Sequence, residues 1–167
     1  MPLSTDRVTQ MRSRTCCFSG HRNLPKGDLA QITKRTKEAI ISGIYDGYCY
    51  FGAGGALGFD TLAAKAVLEL KAQYPEIKLI LVLPCKDQTA KWKAEDIAEY
   101  ERIKSRADKV VYTSEHYYNG CMQKRNRHLV DNSSLCICYL TSNTGGTSYT
   151  VDYARSVGCS VKNVALD

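Results

Sequence analysis

Apolar runs of strand length and segments of helical spacing take turns along the chain, and that alternation limits the folds open to it. The first run, TCCFSG, ends in a turn. DLAQITKRTKEAIISGIYDG follows, with Leu29, Ile32, Thr36, Ala39, Ile40 and Ile44 on one helical face and Asp28 placed to cap its start. YCYFGAGG is a second strand running into glycines, and FDTLAAKAVLELKAQYPEI a second helix stopped near Pro75. KLILVLPC is almost continuously apolar, the mark of a strand covered on both faces. The pattern then continues through the helix QTAKWKAEDIAEYERIKSRA, the strand DKVVYTSE and the helix YNGCMQKRNRHLVDNS. SLCICYLTS is a strand, TGGTSYTVDYARSVG a helix, and SVKNVALD a short closing strand. The expected fold is α/β: a mainly parallel, twisted sheet with helices on both faces. In such a sheet ligands dock beyond the carboxyl ends of the strands, where the chain turns into helices.

The 167 residues suit one domain with a single core. We place a lead-in at residues 1–14 and the domain at 15–167. The lead-in has no apolar core of the kind a secretory signal carries. No apolar run approaches the roughly 20 residues of a membrane-spanning helix. The formal net charge of +6 favours anionic partners. The basic residues are interspersed with acids, as on solvated helix faces, so a small anionic ligand is expected in preference to nucleic acid. Of eight cysteines, Cys16, Cys17, Cys49, Cys136 and Cys138 sit in strand-like runs and lack zinc-ligand spacing. They read as buried, reduced thiols, which implies a cytoplasmic protein. His21, His116 and His128 share no ligand spacing, and no metal is expected. Self-association through an outer helix is left open.

Four turns carry chemistry. Ser19-Gly20-His21-Arg22 leaves the first strand; Gly20 permits close backbone approach and Arg22 can fork two hydrogen bonds onto a phosphate or carboxylate. His21 has two readings, a phosphate donor or a ring packed beneath the turn. FGAGGALGFD puts Gly52, Gly54, Gly55 and Gly58 between a strand and a helix, where backbone amides and the helix dipole can converge on an anion. Asp60 either caps that helix or accepts a ligand hydroxyl. In the third, Arg125, Asn126 and Arg127 are consecutive, so at about 100° per residue Arg125 or Asn126 faces the pocket while Arg127 meets solvent. Asp131 serves the ligand, pairs with Arg127 one turn earlier, or helps end the helix. In the fourth, Gly145, Gly146 and Thr147 form a second glycine cradle after a strand.

Taken in order, FSGHR, GAGGALGFDTLAA, KLILVLPCKDQTAKW, QKRNRHLVDNS and TGGTSYTVDYA resemble the YpsA/YoqJ-like branch of the SLOG superfamily. That superfamily also holds the DNA-processing protein DprA and the LOG phosphoribohydrolases. The resemblance implies a Rossmann-like domain with a pocket for a nucleotide sugar, ADP-ribose or NAD-like ligand. Carried over by position, the site comprises Gly20, His21, Arg22, Gly54, Gly55, Asp60, Arg125, Asn126, Gly145, Gly146 and Thr147. Gln88 and Trp92 fall in the family's Gln…Trp stretch, Trp92 being either a stacking platform or core. LOG enzymes carry Pro-Gly-Gly-x-Gly-Thr-x-x-Glu, whose glutamate supports N-glycosidic cleavage. Here Thr150 stands in that position, and a threonine cannot act as a carboxylate at neutral pH. Binding or sensing is therefore the leading expectation; a LOG-like nucleotide N-glycosidic hydrolase and DprA-like single-strand binding are the alternatives.

Affinity sets a further requirement. About four charge-assisted hydrogen bonds at roughly 1.5–3 kcal/mol each barely exceed an association cost of roughly 4–15 kcal/mol. Burial of a base or ribose must supply the rest, with Tyr45, Tyr117, Tyr118 and Trp92 as the aromatic candidates.

Overall fold

A computed structural model describes residues 10–166. Most of the expected lead-in lies outside the described residues; its last part forms a helical turn over 10–13, which Thr15 Oγ1 closes by donating to the Met11 carbonyl at 2.6 Å. Strand β1 (Thr15–Gly20) leads through a short 3₁₀ turn to α1 (Leu29–Tyr45). β2 (Tyr50–Ala53), α2 (Phe59–Leu70), β3 (Lys78–Leu83), α3 (Ala94–Arg106) and β4 (Lys109–Tyr112) follow. α4 (Cys121–Asp131), β5 (Leu135–Tyr139), α5 (Gly146–Ser156) and β6 (Ser160–Asn163) complete the chain.

Every pairing in the sheet is parallel, in the order β4-β3-β2-β1-β5-β6. The chain steps outward on one side of β1 as far as β4, then returns to the other side for β5 and β6. β1 is therefore the central strand beside which the direction of winding reverses. Side chains alternate across it, as a strand's period of two requires. Cys16 and Phe18 join a core under α1, α2 and α3, with Ile32, Ile40, Phe59, Val67 and Tyr100. Cys17 faces the opposite core, with Leu129 and Val130 of α4 and Val151 and Ala154 of α5. All eight cysteines are buried and unbridged.

Two sequence expectations fail in α1. Asp28 occupies the position before the helix but makes no side-chain capping bond, because the 3₁₀ turn over 26–28 already leads the backbone into the helix. Leu29, assigned to the buried face, is 43% exposed. The rest of that face is correct, with Ile32, Thr36 and Ile40 buried. The third helix begins at Ala94, because residues 85–93 form turns.

Candidate functional site

In a parallel sheet each strand's carboxyl end opens onto the same rim, so the four glycine- and arginine-bearing turns share it. The reversal point lies between β1 and β5, where Gly20 pairs in register with Tyr139. The chain leaves this crevice through His21 and Arg22 on one side and through residues 140–145 on the other.

His21 ties the two sides together. Its Nε2 accepts the Thr141 amide hydrogen at 3.0 Å, so the ring proton sits on Nδ1. Its carbonyl accepts from the Phe59 amide at 3.1 Å, and its ring packs edge-on to Tyr139. The ring thus sits against Tyr139 and bonds a backbone amide rather than a carbonyl. Ser19 is buried in β1. Gly20 is small for the sake of the protein: a Cβ there would collide with the Phe59 ring.

The glycines of the turn after β2 stand against protein atoms. Leu129 fills the space over Gly52, where a Cβ would stand 2.9 Å from its Cδ2. Gly54 lies under the Arg125 guanidinium, 2.6 Å from where a Cβ would sit. A Cβ on Gly55 would meet Leu83, and one on Gly58 would meet the Arg22 backbone. Gly58 also has a φ of +83°, which other residues adopt at a cost. The glycines of this turn thus make room for protein atoms on their Cβ sides.

Arg125 is the centre of this packing. It is 3% exposed, and its guanidinium donates to the Gly54 carbonyl and, through Nε, to Asn126 Oδ1 at 2.7 Å. Met122 sulfur lies 3.7 Å from Nη2, one turn earlier on α4. Asp60, 7% exposed, accepts the Ala56 amide hydrogen at 3.2 Å, so the carboxylate closes its own turn. Burial raises the Asp60 carboxyl above its usual range, against the pull of Arg125, the Ala56 amide and Arg22. Burial likewise draws Arg125 down, and Asp60 opposes it. Gln88 joins the same knot by donating from Nε2 to the Gly55 carbonyl at 3.3 Å, with its buried Oε1 unpartnered. Trp92 packs edge-on against Tyr100 at 5.5 Å between ring centres, at the margin of the core.

The turn after β5 is open. Gly145 has a φ of +96°, and neither Gly145 nor Gly146 has a heavy atom within 4 Å of an added Cβ. No side chain caps α5. Among the described residues, the amides of Gly146, Thr147 and Ser148 have no protein acceptor, and the first amide bonded at this end is that of Tyr149, to the Gly145 carbonyl at 3.0 Å. Thr150 turns back to donate to the Gly146 carbonyl at 2.9 Å, and Asp152 is exposed two residues further on.

The aromatic candidates divide by edge of the sheet. Tyr45 closes α1, which runs from the rim back to the amino ends of the strands, so it stands at the wrong edge. Tyr117 and Tyr118 are exposed in the turn between β4 and α4. Arg127 is exposed, as expected, but Asp131 accepts from the Tyr153 hydroxyl at 2.6 Å, and the Arg127 guanidinium stacks on Tyr149 and Tyr153. That cluster escaped sequence reasoning; its one signal was two tyrosines four residues apart on the helix that follows the glycines.

A family model described as YpsA, the YspA SLOG family, matches residues 20–162. The chain belongs to this SLOG family. The SPbeta prophage-derived protein YoqJ of Bacillus subtilis is 31% identical, over 74% of this chain and 73% of its own. Among solved structures, DNA processing protein A of Helicobacter pylori superposes with a TM-score of 0.66 at 16% identity, covering 93% of this chain and 66% of that one. The Streptococcus pneumoniae protein of the same name gives 0.65 at 18%, covering 90% and 50%. This SLOG domain thus spans about half to two thirds of those two chains, and at such identity the likeness is one of fold.

Proposed function

We propose that this SLOG protein binds a nucleotide-derived anion, of the nucleotide sugar, ADP-ribose or NAD-like class, with a phosphate against the start of α5. The observation that carries this reading is the cluster of three amides at Gly146, Thr147 and Ser148, uncapped and without a protein acceptor, behind a turn whose Gly145 and Gly146 face open space. Such amides and the helix dipole together favour a phosphate. Arg22 supplies the counter-charge from the other lip of the crevice. It is exposed, and among the described residues no carboxylate lies within ion-pair distance of it. Arg125, Asp60 and Gln88 support this reading indirectly, by fixing the neighbouring turn from which Gly58 buttresses the Arg22 backbone.

Titration with AMP, NAD and ADP-ribose tests the proposal. At least one should raise the melting temperature, by an amount equivalent to about 2.7 kcal/mol at a hundredfold excess over Kd. Gly146→Asp brings a carboxylate to the same amides. It should cost at least about tenfold in affinity, or about 1.4 kcal/mol, while the protein stays folded. Equal binding by parent and variant, or no response to any probe, overturns the proposal. Chromatography of the same mixtures detects released base, which would mark the hydrolase alternative.

A second reading, single-stranded nucleic acid, is favoured by Arg127 stacked on Tyr149 and Tyr153 and by the exposure of Tyr117 and Tyr118. The structure of the Helicobacter pylori relative was described for its single-stranded DNA binding mode. Affinity for an oligonucleotide that falls steeply with salt would support this reading, and absent binding removes it.

A further inference from the structure

A groove of about 610 Å³ runs between α1 and α2 and begins at Arg22. Its floor is aliphatic, built from Leu24, Leu29, Leu57 and Leu62, and Lys26 stands on its rim with Arg22. Its volume is that of a pocket for a small organic ligand. Leu29 is 43% exposed at the start of α1, an apolar side chain the core has left to the groove. The charges are asymmetric. Lys65 is taken by Glu99 at 2.9 Å, and Glu69 by Lys37 at 2.5 Å. Asp96, which also lines the groove, has no ion-pair partner among the described residues, and neither do Arg22 and Lys26, so two cations against one carboxylate leave the groove's unpaired charge net positive.

The geometry points to this groove as the seat of the ligand's base, with Arg22 as the hinge between base and phosphate. The inference rests on the phosphate site proposed above and names what the rest of the ligand touches. Phosphate contacts alone barely offset the cost of association, so an apolar contact must add affinity. Of the aromatic candidates, Tyr45 stands at the opposite edge, Trp92 is engaged with Tyr100, and Tyr117 and Tyr118 follow β4, three strands away from β1 and Arg22. The leucine lining offers an aliphatic surface in the same groove as Arg22 and Lys26, which suits a heterocycle that ends in a phosphate.

AMP and ribose 5-phosphate, which lacks the base, separate the two parts of the site. AMP should bind at least about tenfold more tightly than ribose 5-phosphate, the gain expected from burying one face of a base. Leu29→Ser removes floor, and Thr33→Trp, one helical turn on, plugs the groove from a half-buried position. Both should lower AMP affinity, Thr33→Trp by about tenfold or more, and leave ribose 5-phosphate unchanged. If AMP and ribose 5-phosphate bind equally, or if both variants keep the parent's preference, the groove assignment is wrong while the phosphate site stands. If neither probe binds, the phosphate site is wrong and the groove assignment goes with it.

Discussion

Two glycine turns leave β2 and β5, the strands on either side of β1, for helices on the same rim, and they differ in what stands against them. In the turn after β2, Arg125 covers Gly54, Leu83 covers Gly55, and the Arg22 backbone covers Gly58. In the turn after β5, Gly145 and Gly146 face open space. The first turn spends its small residues on letting α4 and the end of β1 approach. The second leaves three amides without a protein acceptor. A glycine-rich turn is therefore not one kind of object: in one the missing Cβ makes room for protein atoms, and in the other it faces open space.

The sharpest way to break this distinction is to add a methyl group to each turn. Gly58→Ala forces a positive φ on an ordinary residue, at about 1–2 kcal/mol, and drives a Cβ into the Arg22 backbone, at about 1–3 kcal/mol more. A loss of about 3 kcal/mol or more by urea unfolding is expected. Gly146→Ala, within the helix and facing open space, should be neutral or stabilising by up to about 1 kcal/mol. Comparable losses in both variants would erase the difference. Arg125→Leu comes next in size. It leaves the Gly54 carbonyl unpaired in the interior and should cost about 1–3 kcal/mol. Because Arg125 lies behind the packed turn, the fall in stability should exceed any direct loss of ligand contact.

The alternation of strand and helix was legible because the periods of apolar residues differ, and the rim follows from parallel pairing. The positions of all four turns were thus available from the residues alone. What each glycine serves was not. The Phe59 ring over Gly20 is 39 residues away in the chain, and Leu129 over Gly52 is 77 away. A glycine that admits a ligand and one that admits a leucine look identical until the partner helix is in place. Asp28 shows the converse limit: a good capping residue went unused once the backbone entered through a 3₁₀ turn. Leu29 failed for a related reason, since helical periodicity predicts a face but not where the neighbouring helix stops covering it.

The finest test of the packed turn uses pH, because Asp60 is a carboxylate confined within it. Burial raises its pKa in the folded protein above the ordinary value of 3.8. Between that ordinary value and the raised one, the folded state holds a proton that the unfolded chain has released. Stability from Asp60 is then fully present below about 3.8 and declines as pH climbs through the folded pKa. Most surface carboxylates with ion-pair partners act in the opposite sense, so Asp60 is best isolated by difference. Asp60→Asn keeps an oxygen for the Ala56 amide and removes the titration. Subtracting the stability profile of Asp60→Asn from that of the parent should leave a curve that falls with rising pH across this window. A curve that rises instead would mean that Arg125 and Arg22 hold the carboxylate charged despite its burial. The turn after β2 would then be an ion-paired site rather than a packed one, and the contrast with the turn after β5 would lose half its basis.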